Sequence, residues 1–263
     1  MRRLLVTVFL LALTSAAADA RQQPAGGGAR LIDKFGEIQW SDLMARLDNF
    51  AVELQTFPDT RGLVVAYAAR RKFPGWPVRR AHSAVTYLTA SRGLDAARLS
   101  AVNGGLRDET EFELWVVPPG AESPVKPYDV MFSMAGEKGP LAFDRFAVAE
   151  EEDEYSVSAY GLEPSPDSAD AYQFFAEVLR RDPSLRGCVI GYAPGRRSLA
   201  ASRRIAGRAK LTIAKAHAVD VARVAAVGGG RREYKMIELW LVPPGAPLPK
   251  PTPAERPARR RRR

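Results

Sequence analysis

Apolar positions in the first half of the chain fall into two alternating periods. Leu43, Leu47, Phe50, Ala51 and Leu54 recur at i, i+4, i+7, i+8 and i+11, which places them on one face of a helix; Ser41 offers an N-cap, and Pro58 and Gly62 close the segment. Leu63–Ala69 is a short, unbroken apolar run containing β-branched residues, the pattern of a central strand covered on both faces. After a loop with Pro74, Gly75 and Pro77, a second helix is expected up to about Arg92, with Ala81, Ala84, Val85 and Leu88 inward. Phe35–Trp40 reads as a short first strand, Arg98–Val102 as a third strand and Gly104-Gly105 as a turn. Thr110–Val117 reads as a fourth strand, stopped by Pro118-Pro119-Gly120. The order is β-α-β-α-β-β. Two right-handed crossovers followed by a hairpin predict an α+β sandwich with both helices on one face of a mixed sheet.

The pattern occurs twice. Arg61–Ala121 lies on Arg186–Ala246 at a shift of 125 positions without a gap, and 25 of the 61 pairs are identical. A repeat this long is a domain, since solenoid repeats run to roughly 20–50 residues. Tyr172, Phe175, Ala176 and Leu179 take the places of Leu47, Phe50, Ala51 and Leu54. Cys188–Ala193 is the second central strand, Ala206, Ala209 and Ile213 line the second helix, and Gly228-Gly229-Gly230 is read as a turn before the strand Met236–Val242. The expected organisation is a signal peptide over 1–20, a disordered leader over 21–34 and repeat one over 35–121. A partly structured linker over 122–159 follows, able to supply a hairpin or first strand to repeat two; repeat two spans 160–246, and a disordered Pro/Arg-rich tail spans 247–263.

Charge matters only once it is located. Of the net +9, residues 247–263 hold +6, from Lys250, Arg256 and Arg259–Arg263 against Glu255; residues 21–246 hold +2. No basic face on a folded domain is indicated, which argues against nucleic acid as a partner. Arg2-Arg3, the apolar run Leu4–Leu13 and Ala18-Asp19-Ala20 read as a cleavable secretory signal, too short to span a bilayer at about 20 residues. A secreted or periplasmic chain without a transmembrane segment in its mature form is expected. Its one cysteine, Cys188, cannot form an internal disulfide and reads as a small buried hydrophobe, with a reactive thiol or an intermolecular bridge as the alternative.

Candidate chemistry is sparse. His82 and His217 stand at non-equivalent positions, and no His/Cys/Asp/Glu spacing suggests a metal site. No Ser or Cys has a base partner in a recognisable motif, and Gly187, Gly191 and Gly195 are spaced by four, unlike a dinucleotide fingerprint. The acidic run Glu150–Glu154 reads as a solvated linker, with a cation site as the alternative. Trp115 and Trp240 are equivalent strand positions, either packed on the sheet or part of a binding surface. No enzyme and no cofactor are expected.

The element order, export, and the run Arg79-Arg80-Ala81-His82-Ser83-Ala84-Val85-Thr86-Tyr87-Leu88 leading to Gly93-Leu94-Asp95 resemble the OmpA-like C-terminal domain, whose second helix carries an RRAxxVxxYL-like run. The resemblance covers about 35–120 and, more faintly, 160–245. It implies the sandwich fold and peptidoglycan as ligand. In that family an Asp after the central strand and the Arg opening the motif grip the two charges of diaminopimelate. Arg80 matches the Arg, although by its place on the second helix it also reads as a solvated helix residue; the Asp position falls near Ala69-Arg70, where there is no acid, and Ile205 replaces the Arg in repeat two. The expected function is a non-enzymatic protein-interaction or assembly scaffold of the bacterial cell envelope. The alternative is a module that binds peptidoglycan or another anionic wall polymer, using Arg80 for the wall and Arg259, Arg260, Arg261, Arg262 and Arg263 for anionic lipid or glycan.

Overall fold

A computed structural model describes residues 28–69, 73–127, 133–148, 168–195 and 198–252. The signal over 1–20, residues 21–27 of the leader, the acidic run Glu150–Glu154 and Arg259–Arg263 lie outside the described residues.

The chain is α+β, with four helices and two mixed four-stranded sheets among the described residues. The first unit runs β1 (Arg30–Phe35), α1 (Trp40–Thr56), β2 (Arg61–Ala69), α2 (Gly75–Ala90), β3 (Leu99–Arg107) and β4 (Glu111–Val117). The second runs β5 (Leu141–Ala147), α3 (Ser168–Arg181), β6 (Arg186–Ala193), α4 (Ser198–Ala216), β7 (Val224–Arg231) and β8 (Met236–Val242). The sheets have the same strand order, β1-β4-β2-β3 and β5-β8-β6-β7. In each, the central strand pairs in parallel on one side and antiparallel on the other.

The helical stripe read from the sequence is the buried face of α1: Leu43, Leu47, Phe50, Ala51 and Leu54 pack with Ala81, Ala84 and Leu88 of α2 on one face of the first sheet. Val64, Ala66, Leu114 and Val116 point into that core, whereas Leu63, Val65, Tyr67 and Val117 form a smaller cluster on the helix-free face. The period-2 pleat therefore makes β2 apolar throughout, as a strand covered on both faces requires.

Four expectations need correction. The last two strands of each unit form no hairpin: β4 lies between β1 and β2 and β8 between β5 and β6, with β3 and β7 on the far side of the central strand. The first strand is Arg30–Phe35, not Phe35–Trp40, so it begins inside the stretch taken as leader. Its equivalent, Leu141–Ala147, is the first strand that the stretch 122–159 was expected to be able to supply to repeat two; it pairs with β8, so the second unit begins before residue 160. Both are edge strands with a bulge, at Leu31/Asp33 and Ala142/Asp144, and the extra residue breaks the alternation by which a strand is recognised. Gly104-Gly105 and Gly228–Gly230 are not turns but lie inside β3 and β7. The ring of Tyr67 lies over Gly104, where a Cβ would come within 2.3 Å of it, and Tyr192 lies over Gly229 in the same way.

Candidate functional site

On the helix-free face of each sheet a carboxylate sits where an apolar strand should carry an apolar side chain. Glu113 is 6% exposed and Glu238 2%. Burial of a charge demands partners, and each has the same set. Tyr67 donates its hydroxyl to Glu113 Oε2 at 3.0 Å, and Trp115 donates Nε1 to the same oxygen at 3.0 Å. Tyr192 and Trp240 repeat this on Glu238 Oε2 at 3.0 and 3.1 Å. The guanidinium of Arg107 lies 3.3 Å from the Tyr67 ring centre, that of Arg232 4.2 Å from the Tyr192 ring centre. Both tyrosines have raised pKa values, first from burial and, for Tyr67, next from Glu113; Tyr192 is raised by burial against a lowering by Thr252. Both therefore remain hydroxyl donors at neutral pH.

The clusters differ at the other carboxylate oxygen. In the second unit, Thr252 gives its hydroxyl to Glu238 Oε1 at 2.6 Å and its N–H to the Tyr192 hydroxyl at 2.9 Å. Arg232 Nη2 donates to the carbonyl and hydroxyl oxygens of Thr252 at 2.5 and 2.7 Å. The stretch expected as disordered tail thus begins as an ordered segment, with Pro249 buried and Thr252 seated in the cluster. In the first unit Glu113 Oε1 instead accepts from Arg107 at 3.1 Å, with Lys34 3.9 Å away, and Arg107 also pairs with Glu111. Apart from Trp115 and Trp240, these residues were missed in the sequence because each resembles ordinary strand or turn content when read singly. The available signal was that Tyr, Gly-Gly, Arg, Glu and Trp coincide at all equivalent positions of the two repeats.

Arg80, the expected wall contact, is not the solvated helix residue that its position suggested. It is 2% exposed, gives Nη2 to the Ile38 carbonyl at 2.7 Å and lies against the rings of Trp40 and Trp76. Burial, then the adjacent Arg79 charge, lowers its pKa to about 10, while the carboxylate of exposed Glu37 acts in the opposite direction. An acid does act on Arg80, but it is Glu37, which precedes α1, rather than a residue following the central strand.

Arg79, the residue before Arg80 on α2, ties the two units together. It is 2% exposed and grips Asp144 of β5 through Nε at 2.9 Å and Nη2 at 3.3 Å, with its guanidinium 5.7 Å from the Phe146 ring centre. Val78 enters the second core, a Cβ on Gly75 would strike the Phe143 ring, and His82 meets Phe174 edge-on at 4.9 Å. His82 is therefore a boundary residue between units. His217 has a lowered pKa, from burial and then Arg180. Cys188 is fully buried, and burial pushes its thiol up to about 12; Trp115 and Trp240 are half-buried members of the clusters.

Among the described residues no three His, Cys, Asp or Glu side chains converge on a possible metal position, and no helix is long and apolar enough to cross a membrane. Compared with known proteins, the chain matches no protein-family model and no curated protein.

Proposed function

We propose that this chain is a non-enzymatic protein-interaction scaffold of the bacterial cell envelope, built on two degenerate OmpA-like domains in tandem and acting in the periplasm or outside the cell. The observation that carries the reading is the pair of Tyr–Glu–Trp–Arg clusters on the helix-free sheet faces, one of which holds an extended segment of its own chain. A buried carboxylate surrounded by a tyrosine, an indole and an arginine has no nucleophile to activate, but it can recognise a peptide by hydrogen bonds. The OmpA-like element order and the Arg79–Leu88 run support the domain type. The secretory signal read in the sequence supports the compartment.

A second reading, binding to peptidoglycan, is favoured by the carboxylate of Glu37, whose charge raises the pKa of Arg80, since a zwitterionic ligand needs both an acid and a guanidinium. Burial of Arg80 counts against it. The experiment is a pull-down of the mature protein on purified sacculi at low and high salt, beside photo-crosslinking from position 115 in the native envelope. Crosslinks to protein without salt-resistant retention on sacculi are expected. Salt-resistant retention lost in Arg80→Ala would replace the scaffold reading with the wall-binding one, and retention lost only with Arg259–Arg263 would mean charge alone.

A further inference from the structure

Register makes the two clusters directly comparable. Tyr67, Gly104, Arg107, Glu113 and Trp115 are equivalent to Tyr192, Gly229, Arg232, Glu238 and Trp240, and the side-chain geometry on Oε2 is the same within 0.1 Å in both. What differs is the occupant. The connecting segments begin alike after the Pro-Pro-Gly-Ala turns and then part: Pro249 is buried, whereas its equivalent Pro124 is exposed. The residue equivalent to Thr252 is Pro127, which has neither an N–H nor a hydroxyl and is exposed. Among the described residues, no peptide group meets Tyr67 or Arg107 in the way that Thr252 meets Tyr192 and Arg232.

We infer that the Tyr67–Glu113–Arg107 cluster of the first unit is a binding site for a Thr- or Ser-bearing, proline-flanked extended segment of a partner protein, seated as Thr252 is seated in the second unit. This rests on the scaffold reading and names the partner chemistry of the same face.

Three atoms of the ligand residue are specified by chemistry. Glu113 Oε1 accepts only, so the group opposite it must be a donor, and a neutral hydroxyl enters without bringing a further charge into a buried site. The Tyr67 oxygen, having given its proton to Glu113, accepts the ligand's N–H. Arg107, which has a side chain 35% exposed and so can move, turns from the carboxylates to the ligand's carbonyl oxygen as Arg232 does. A glycan hydroxyl supplies the first of these contacts but not the flanking N–H and carbonyl. Proline on either side holds the backbone extended before binding, which lowers the ordering cost. The open position is also the reason Arg107 turns inward: without a threonine, the second oxygen of Glu113 takes its donor from the nearest cation.

The test is to titrate the intact protein with the capped peptide Pro-Lys-Pro-Thr-Pro, the sequence of 249–253, while following the assigned indole N–H resonances of Trp115 and Trp240. Saturable movement of Trp115 with Trp240 unmoved is expected. Binding should weaken at least about tenfold for the Thr→Val peptide, the loss of one hydrogen bond to a charged group, and be lost in Glu113→Gln. In a Thr252→Val chain, whose own segment is loosened, Trp240 should gain the response, which shows that the peptide can fill such a cluster. A silent Trp115 in the presence of a responsive Trp240 would overturn the inference, as would equal binding of the Val peptide, no response of either indole up to about 1 mM, or movement of Trp115 by an N-acetylglucosamine tetramer instead of the peptide. Crosslinks from position 115 combined with a silent Trp115 would overturn this inference and leave the scaffold reading standing.

Discussion

Asp33 and Asp144 occupy the same place on the bulged edge strands of the two units, each followed two residues later by a phenylalanine, yet they receive their arginine from different sources. Asp33 is served from within its own unit: Arg46 of α1 donates to it at 2.6 Å and lies over Phe35 at 5.1 Å. The residue equivalent to Arg46 is Ala171, fully buried. With that side chain cut back, Arg79 of the first unit enters, pairs with Asp144 and stacks on Phe146. Asn49, exposed in α1, is likewise replaced by Phe174, buried in α3 against His82. The duplicated domain thus kept its acid and exchanged an internal cation for one from its neighbour. At the other end Val78 and Arg79 are matched by exposed Arg203 and Arg204 of α4, so among the described residues the pairing is head to tail and does not repeat.

The largest way to break this asymmetry is Arg79→Ala. It leaves Asp144 as an uncompensated charge that is fully buried, and should cost about 3–5 kcal/mol and split urea unfolding into two transitions. Arg46→Ala, at a pair with side chains 40% and 27% exposed, should cost at most about 1 kcal/mol. Equal losses for the two variants would remove the distinction. Replacing both partners, Arg79→Met with Asp144→Leu, should recover most of the stability, since a packed apolar pair often matches a buried ion pair; calorimetry of the double variant checks this.

Next in size is the glycine under each tyrosine. Gly104→Ala and Gly229→Ala both drive a Cβ into a ring and should each cost about 1–3 kcal/mol in denaturant midpoints. The second should in addition release the Pro249–Thr252 segment, visible as protease sensitivity near the C-terminus, whereas among the described residues the first has no segment hydrogen-bonded into its cluster to release.

The thiol sharpens the comparison at the central strands, where Cys188 replaces Leu63. Its raised pKa means that the native state holds the thiol neutral where the unfolded chain ionises. The stability this contributes is complete below the ordinary value of 9.0 and is lost as pH rises toward about 12. A Cys188→Ala chain should show a flatter alkaline limb, and native Cys188 should resist alkylation at pH 8 until the second unit unfolds.

The smallest effect is at the outer surface of the helices. Asp48 has a lowered pKa, from its hydrogen bond with Arg92 and then with Tyr87. Gln173, Thr212 and His217 stand in those places in the second unit, so only the first has the group. A depressed carboxyl contributes stability above its unfolded value that disappears as pH falls through the folded one. Hydrogen exchange between α1 and α2 should therefore quicken on acidification, and Asp48→Asn should abolish the pH response; an equal response between α3 and α4 would count against the assignment.

Much of the fold could be read from the chain, because burial in a sandwich leaves a periodic mark. The α1 stripe, the two-sided apolar β2 and the second-helix face all appeared where the 3.6- and 2-residue periods placed them. The edge strands did not, since β1 and β5 carry Arg30, Asp33, Lys34 and Arg145 and a bulge interrupts their alternation. The candidate site was half visible: Trp115 and Trp240 stood out as equivalents, but Glu113 was concealed inside a largely apolar strand and Thr252 inside a polar tail. Arg80 was placed correctly on its helix and wrongly in solvent, because helical position says which way a side chain leaves the backbone and not whether Trp40 and Trp76 will close over it.

What the sequence determined by itself was therefore the duplication, the α+β order and the helix faces, all of them consequences of local periodicity and of one stretch matched against another. Which arginine serves which aspartate, why glycines lie inside strands, and that one cluster holds a threonine of its own chain while the other, among the described residues, does not were decided only in the tertiary structure. Each depends on residues far apart in sequence meeting at buried polar groups, where the cost of an unpaired charge or a ring without space selects the partner.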